Sequence, residues 1–211
     1  MKSSLENDNG TIFRYAPHEN TVLNQIIQQI ETSKADIPDY KELISWIKTI
    51  TYNSKTEWVG QRAMVDMWEL VKKYYFQLEM GGSNSIKKVL PAMLNSSEYL
   101  QEKYSQPIYN GHNFQNKIWV EKDEYGKVKD PYKLLDPIFD DIDREQMENF
   151  TTDSKLADGG AAMTAYARLQ FSDIPKVERE AIQQALLRYC ELDTLAMVLI
   201  WEDWNNMVRG I

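Results

Sequence analysis

The sequence predicts a helix-dominated α/β fold in a single domain of 211 residues. Three observations carry that reading. Apolar residues recur at spacings of three and four along most of the chain, which lines one face of a helix. Runs of β-branched and aromatic residues are short and bounded by Asn, Gly or Pro, as in brief strands. No stretch is rich enough in Pro, Gly or Ser to act as a linker, and no repeat is visible. One core, with room for a small subdomain, is therefore expected.

The elements follow in order. Thr11-Ile12-Phe13-Arg14-Tyr15 lies between Asn9-Gly10 and Pro17 and reads as a strand. From His18 the pattern turns helical, with Val22, Leu23, Ile26, Ile27 and Ile30 on one face. A second helix follows Pro38, with Leu43, Ile44 and Ile47 inward. Ala63 to Met67 reads as a short strand running into a helix from Trp68 to Gln77. Gly81-Gly82 breaks the chain, and Ser83 or Asn84 then caps a short helix from Ile86 to Leu90. Asn116 to Lys129 reads as a hairpin around Asp123-Glu124-Tyr125-Gly126, an insertion placed near residues 112–135. Asp136 to Asp153 is acidic and weakly patterned, a surface connection. Two helices close the chain. One spans Ala161 to Phe171. The other is capped by Ser172 or Asp173, carries Pro175 in its first turn, and runs to about Met207.

Composition narrows the function. The chain is 43% hydrophobic and 27% charged, and its net charge is −8. That balance argues against a broad phosphate-binding surface, though a local groove and clustered metal-binding acids remain compatible with it. The longest apolar runs are too short to span a bilayer, so no membrane association is expected. One cysteine, Cys190, excludes an internal disulfide, and a reducing cytoplasm is the simplest location. Asp140, Asp141 and Asp143 lack the glycine and terminal glutamate of a calcium loop.

Chemistry concentrates in Tyr189-Cys190-Glu191-Leu192-Asp193. Tyr189 and Asp193 are four apart and share a helix face. A carboxylate there can ligate a hard divalent cation, and a phenol one turn earlier can orient a water or a phosphate. By itself Tyr-x-x-x-Asp describes a core tyrosine beside a surface acid equally well.

The surrounding segment from Leu186 to Met197 resembles the third motif of the DnaQ-like 3′–5′ exonucleases, in the subgroup with tyrosine there. Gly10-Thr11-Ile12-Phe13-Arg14-Tyr15-Ala16, Gly82-Ser83-Asn84-Ser85-Ile86-Lys87, Val89-Leu90-Pro91 and Asp158-Gly159-Gly160-Ala161-Ala162 resemble, in the same order, the bacterial family called domain of unknown function 2779. Its members resemble ribonuclease-H-like nucleases. The resemblance implies a ribonuclease-H-like core with a truncated sheet and an inserted hairpin. It implies phosphodiester hydrolysis with two Mg²⁺ or Mn²⁺ ions, acting on single-stranded DNA or RNA ends. Asp193 and Tyr189 match the last acid and its tyrosine. Glu19, just after the strand at Thr11–Tyr15, takes the place of another acid, with glutamate where aspartate is usual. The first strand and its two acids are not found in this sequence. The resemblance therefore implies the C-terminal part of such a domain, inactive alone, complemented by its N-terminal part or self-associating through an exposed strand edge. A degenerate module that binds nucleic acid or protein without cleaving is the alternative.

Other residues have two readings. Asp66 closes a predicted strand and is either a helix cap or a further metal ligand. His18-Glu19 begins like a zinc-protease helix, but Val22 stands where the second histidine belongs. Gly81-Gly82-Ser83-Asn84-Ser85, beside Lys87 and Lys88, reads as a turn and cap or as a backbone phosphate cradle. Cys190 reads as a packing residue. Trp46, Trp68 and Trp201 read as core.

Overall fold

A computed structural model describes residues 2–33, 37–136 and 159–210. The acidic stretch with Asp140, Asp141 and Asp143, and Asp158, lie outside the described residues. The chain divides into two compact units, Met1–Phe76 and Gln77–Ile211. The sequence is silent at this boundary because Tyr74-Tyr75-Phe76-Gln77 contains no linker residue.

The first unit contains helices α1 (Lys2–Leu5), α2 (His18–Thr32), α3 (Tyr40–Ile50) and α4 (Met67–Tyr74). Its strands are β1 (Phe13–Arg14), β2 (Tyr52–Asn53), β3 (Trp58–Val59) and β4 (Val65–Asp66). Strand β1 pairs in parallel with β4, Phe13 opposite Val65, and β2 pairs antiparallel with β3. Both predicted strands exist, each shorter than its apolar run. Ala16 ends the first by adopting φ 72°, a left-handed conformation that breaks the ladder. Helices α2 and α3 bury Leu23, Ile27, Ile30, Ile47 and Ile50 with Met64, and the partly buried Leu43, Ile44 and Trp46 pack against this cluster. The helical spacing is thereby accounted for. Gly60 is required by close approach: a Cβ there would lie 2.3 Å from the carbonyl oxygens of Lys48 and Thr49.

The second unit contains α5 (Ile86–Ser96), α6 (Glu98–Tyr104), α7 (Gly159–Phe171) and α8 (Lys176–Arg209). Helix α8 presents Ile182, Ala185, Tyr189, Leu192, Ala196, Leu199 and Asp203 to the interior. Their alternating spacing of three and four draws one stripe along the helix. Helices α5 and α6 cover it with Val89, Leu90, Ala92, Met93, Leu94 and Leu100. Helix α5 continues past Pro91, where the sequence predicted its end at Leu90. A proline removes one backbone hydrogen bond, whereas stopping there would expose Ala92, Met93 and Leu94. Its cap position is Ser85, not Ser83 or Asn84. Pro175 occupies the cap position of α8, where Ser172 or Asp173 was expected. Helix α6 had no counterpart in the sequence reading.

The predicted hairpin is present as a tight loop. Lys122 bridges Val128, the Asp123 amide donates to the Lys127 carbonyl at 2.8 Å, and Gly126 turns at φ 78°. Trp46 meets its expectation as core, and Trp201 does not. Trp201 is 44% exposed on the outer face of α8, while Trp119, in the irregular segment before the hairpin, is fully buried. Trp119 packs edge-on against Phe114 at 4.9 Å and Tyr109 at 6.0 Å between ring centroids. Cys190 is exposed rather than packed. Among the described residues no helix is long and apolar enough to cross a membrane.

Candidate functional site

Asp193 stands one turn beyond Tyr189 on α8, as the spacing requires. The Tyr189 ring belongs to the buried stripe, and the Asp193 carboxylate is half-buried beside it. A third residue completes the group. Asp130 caps a one-turn helix, Pro131–Leu134, by accepting the Tyr132 amide at 3.0 Å. That turn carries the Tyr132 hydroxyl to Asp193, where it donates to Oδ1 at 2.5 Å. Tyr189 also hydrogen-bonds Asp193. The two phenol rings lie 6.0 Å apart, tilted by 53°. Lys87, near the start of α5, places Nζ 4.7 Å from the Tyr189 centroid and 5.1 Å from that of Tyr132. An ammonium against two aromatic faces gains cation–π attraction that strengthens as water is excluded.

The electrostatics of this group are set by burial. Desolvation raises the Asp193 pKa, and the phenol hydrogen bonds and the Lys87 charge oppose that rise only in part. Burial, then the neighbouring Asp193 charge, pushes the Tyr132 phenol far above its ordinary range. Tyr132 is therefore a permanent donor. The carboxylate has two phenol donors and one cation near it, a setting that can hold an anionic oxygen in place and present it to a ligand.

Glu191, between these residues in sequence, does different work. It accepts from the Tyr109 hydroxyl at 2.9 Å, and from the Asn113 amide and side chain at 2.8 and 2.7 Å. It thus pins the segment 109–113 to α8. Gly111 permits this approach, since a Cβ there would fall 1.8 Å from Glu191 Oε1.

Glu19 and Asp66 belong to the first unit. Glu19 is the second residue of α2 and is half-buried, its Oε2 without a hydrogen-bond partner. Asp66 is fully engaged. Oδ1 accepts from the Ala16 and Trp68 amides, both at 3.0 Å, and Oδ2 pairs with buried Arg14 at 2.8 Å. Of its two readings, the cap describes what Asp66 does. His18 opens α2 and is exposed. Gly81 and Gly82 adopt φ 59° and 77° with open space around them, so the turn requires glycine there for its backbone conformation.

Tyr132 and Glu191 were the residues the sequence reading passed over. A signal for Tyr132 existed: Asp130-Pro131 is an N-cap followed by proline at the first helical position. None marked Glu191, whose partners lie 78 and 82 residues away.

A carboxylate such as that of Asp193 could supply one oxygen ligand for a divalent cation. Among the described residues no group of three or more His, Cys, Asp or Glu side chains is placed to hold a metal ion. The described residues therefore fit one ligand position and not a whole two-metal cage. No family model, curated protein or solved structure matches the chain.

Proposed function

We propose that the chain is the C-terminal part of a ribonuclease-H-like 3′–5′ exonuclease domain that hydrolyses phosphodiester bonds at single-stranded nucleic acid ends. The observation that carries this is the Tyr189–Asp193 pair on one face of α8, with Lys87 beside it. In this reading Asp193 is a ligand for Mg²⁺ or Mn²⁺. Tyr189 and Tyr132 hold its carboxylate, and Lys87 offers positive charge to a phosphate. The metal, when bound, would polarise the scissile phosphate and activate water. The parallel pairing of β1 with β4 through a helical crossover supports an α/β core of this kind. The two acids of the family's first strand, and a partner for the outer edge of β1, come in this reading from the N-terminal part of the same domain.

A second reading, a nucleic-acid-binding module without cleavage, is favoured by the state of Asp193. A carboxyl group already hydrogen-bonded by two phenols and held toward its neutral form competes poorly for a cation.

Mn²⁺ separates the two. Paramagnetic broadening of the backbone amides around Tyr189–Asp193, lost in Asp193→Ala, is the result expected for a metal ligand. Unbroadened amides would leave the binding module as the better account. In a cleavage assay with Mg²⁺ or Mn²⁺ and end-labelled single strands, the chain alone should turn over very slowly or not at all. Brisk cleavage abolished by Asp193→Ala would show that it holds a full set of ligands.

A further inference from the structure

An open groove of about 550 Å³ lies in the second unit, between α5, the hairpin at 122–128 and the turn at 131–134. Lys87, Lys88, Lys127, Lys129 and Lys133 line it, against the carboxylates of Glu79, Asp123 and Asp130. On a chain of net charge −8 this is a local reversal of sign. Two of the three acids are committed to local structure. Asp123 Oδ1 accepts the Tyr125 and Lys127 amides, both at 2.9 Å, and Asp130 caps the turn at 131–134. Their charge is partly answered by those N–H dipoles. Lys129 pairs with Glu121 at 3.1 Å in an exposed contact of little energetic weight, open to exchange for a phosphate.

The walls are fixed in advance. Asn95 on α5 accepts the Val128 amide at 2.9 Å while its own amide donates to the Pro91 carbonyl at 2.8 Å, so the hairpin is fastened to the helix. The hairpin tip carries Tyr125, 86% exposed, between the lining residues Asp123 and Lys127. Lysines along a groove, with an exposed aromatic residue on the hairpin that forms one of its walls, are what a single strand needs: charge for the backbone and a face on which a base can stack. Lys87 is common to this groove and to the Tyr132–Tyr189–Asp193 group.

We propose that this groove binds the sugar-phosphate backbone of a single-stranded nucleic acid, with Tyr125 as a stacking platform, and that Lys87 marks where the strand meets Asp193. The proposal rests on the exonuclease reading for the role of Asp193, but its test does not. The ligand class is a polyphosphate backbone with unpaired bases. An acidic peptide would use the lysines and ignore the ring.

The experiment is fluorescence anisotropy of labelled twelve-nucleotide oligo-dT and oligo-U with the full chain in EDTA, so that binding is read without cleavage. It is run across a salt series. Each neutralised phosphate of a single strand contributes a slope of roughly −0.7 in log K against log salt. Wild type should show a slope of about −2 or steeper on that scale. Lys127→Glu/Lys129→Glu/Lys133→Glu should bind at least about tenfold more weakly with a shallower slope. Tyr125→Ala should weaken binding by about fivefold or more and leave the slope unchanged, as stacking predicts. Lys176→Glu, outside the groove lining, should bind like wild type. Circular dichroism checks that the triple variant keeps its helices.

Equal binding by the triple variant and wild type overturns the proposal. So does no binding by wild type, or tighter binding of poly-glutamate that ignores Tyr125. Groove-dependent binding without Mn²⁺ broadening at Asp193 would sink the exonuclease reading and leave the groove standing. Asp193-dependent cleavage indifferent to the groove variants would do the reverse.

Discussion

Asp66 in the first unit and Asp193 in the second are both partly buried carboxylates attached to helices, yet their surroundings differ in kind. Asp66 has three strong partners: two backbone amides and the Arg14 guanidinium, itself 5% exposed and also donating to the Ala16 carbonyl. Every contact is charge-assisted and serves to join β1, β4 and the start of α4. Asp193 has neutral phenols and a lysine shared between two rings, and its burial is incompletely compensated. The first carboxylate is saturated and holds the fold. The second is held in place with its burial only partly offset, the kind of perturbed group that clusters at functional sites.

The comparison breaks most sharply on stability. Asp66→Ala removes the helix cap and leaves Arg14 buried without its carboxylate. Breaking a buried pair by deleting one partner costs about 3–5 kcal/mol. Urea unfolding followed by circular dichroism should show a loss of that order. A loss below about 1 kcal/mol, the usual value of an exposed ion pair, would mean that Asp66 is not the anchor described.

A smaller loss is expected where Glu191 fastens the irregular segment to α8. Gly111→Ala drives a methyl into the Glu191 carboxylate and brings it within 2.8 Å of the Tyr109 hydroxyl. Overpacking of this kind costs about 1–3 kcal/mol. Amide exchange should report it locally, with faster exchange at Asn113, whose amide donates to Glu191. Unchanged protection would show that the loop does not depend on that contact.

How much of this was legible in the sequence follows the range of the interactions. The helical faces of α2 and α3 were readable because the apolar period is local. So was the pairing of Tyr189 with Asp193, which needs only four residues of helix. Helix α5 was cut short because proline is a local signal for an end, and burial of Ala92, Met93 and Leu94 is not local. Tyr132 and Glu191 were missed for the same reason: Tyr132 meets Asp193 across 61 positions, and no pattern in either segment names the other. The buried row of α8 runs on to Asp203, 1% exposed and hydrogen-bonded by the Ser97 hydroxyl, a polar residue that no apolar pattern would place inside. Trp119 shows the converse, a fully buried ring in a segment without helical or strand period.

The smallest effect on stability, and the one that best isolates Asp193, is its dependence on pH. Burial raises the Asp193 pKa in the folded chain above its unfolded value. Between the two values the folded state binds more protons than the unfolded state, so stability falls as pH rises through that window. The contribution of Asp193 is thus complete below the unfolded value near 3.8 and is lost as pH passes the raised folded value. Asp193→Asn keeps a carbonyl to accept from Tyr132 and carries no charge to desolvate. Near pH 7 it should unfold within about 1 kcal/mol of wild type, the worth of roughly one hydrogen bond. The wild-type minus variant difference should shift against wild type as pH is raised from 4 toward neutrality, with Asp203 titrating identically in both proteins. Opposite drift, with wild type gaining on the variant as pH rises, would mean that the Lys87 charge and the phenols outweigh burial. Asp193 would then resemble Asp66 and serve the fold, and the contrast between the two carboxylates would be lost.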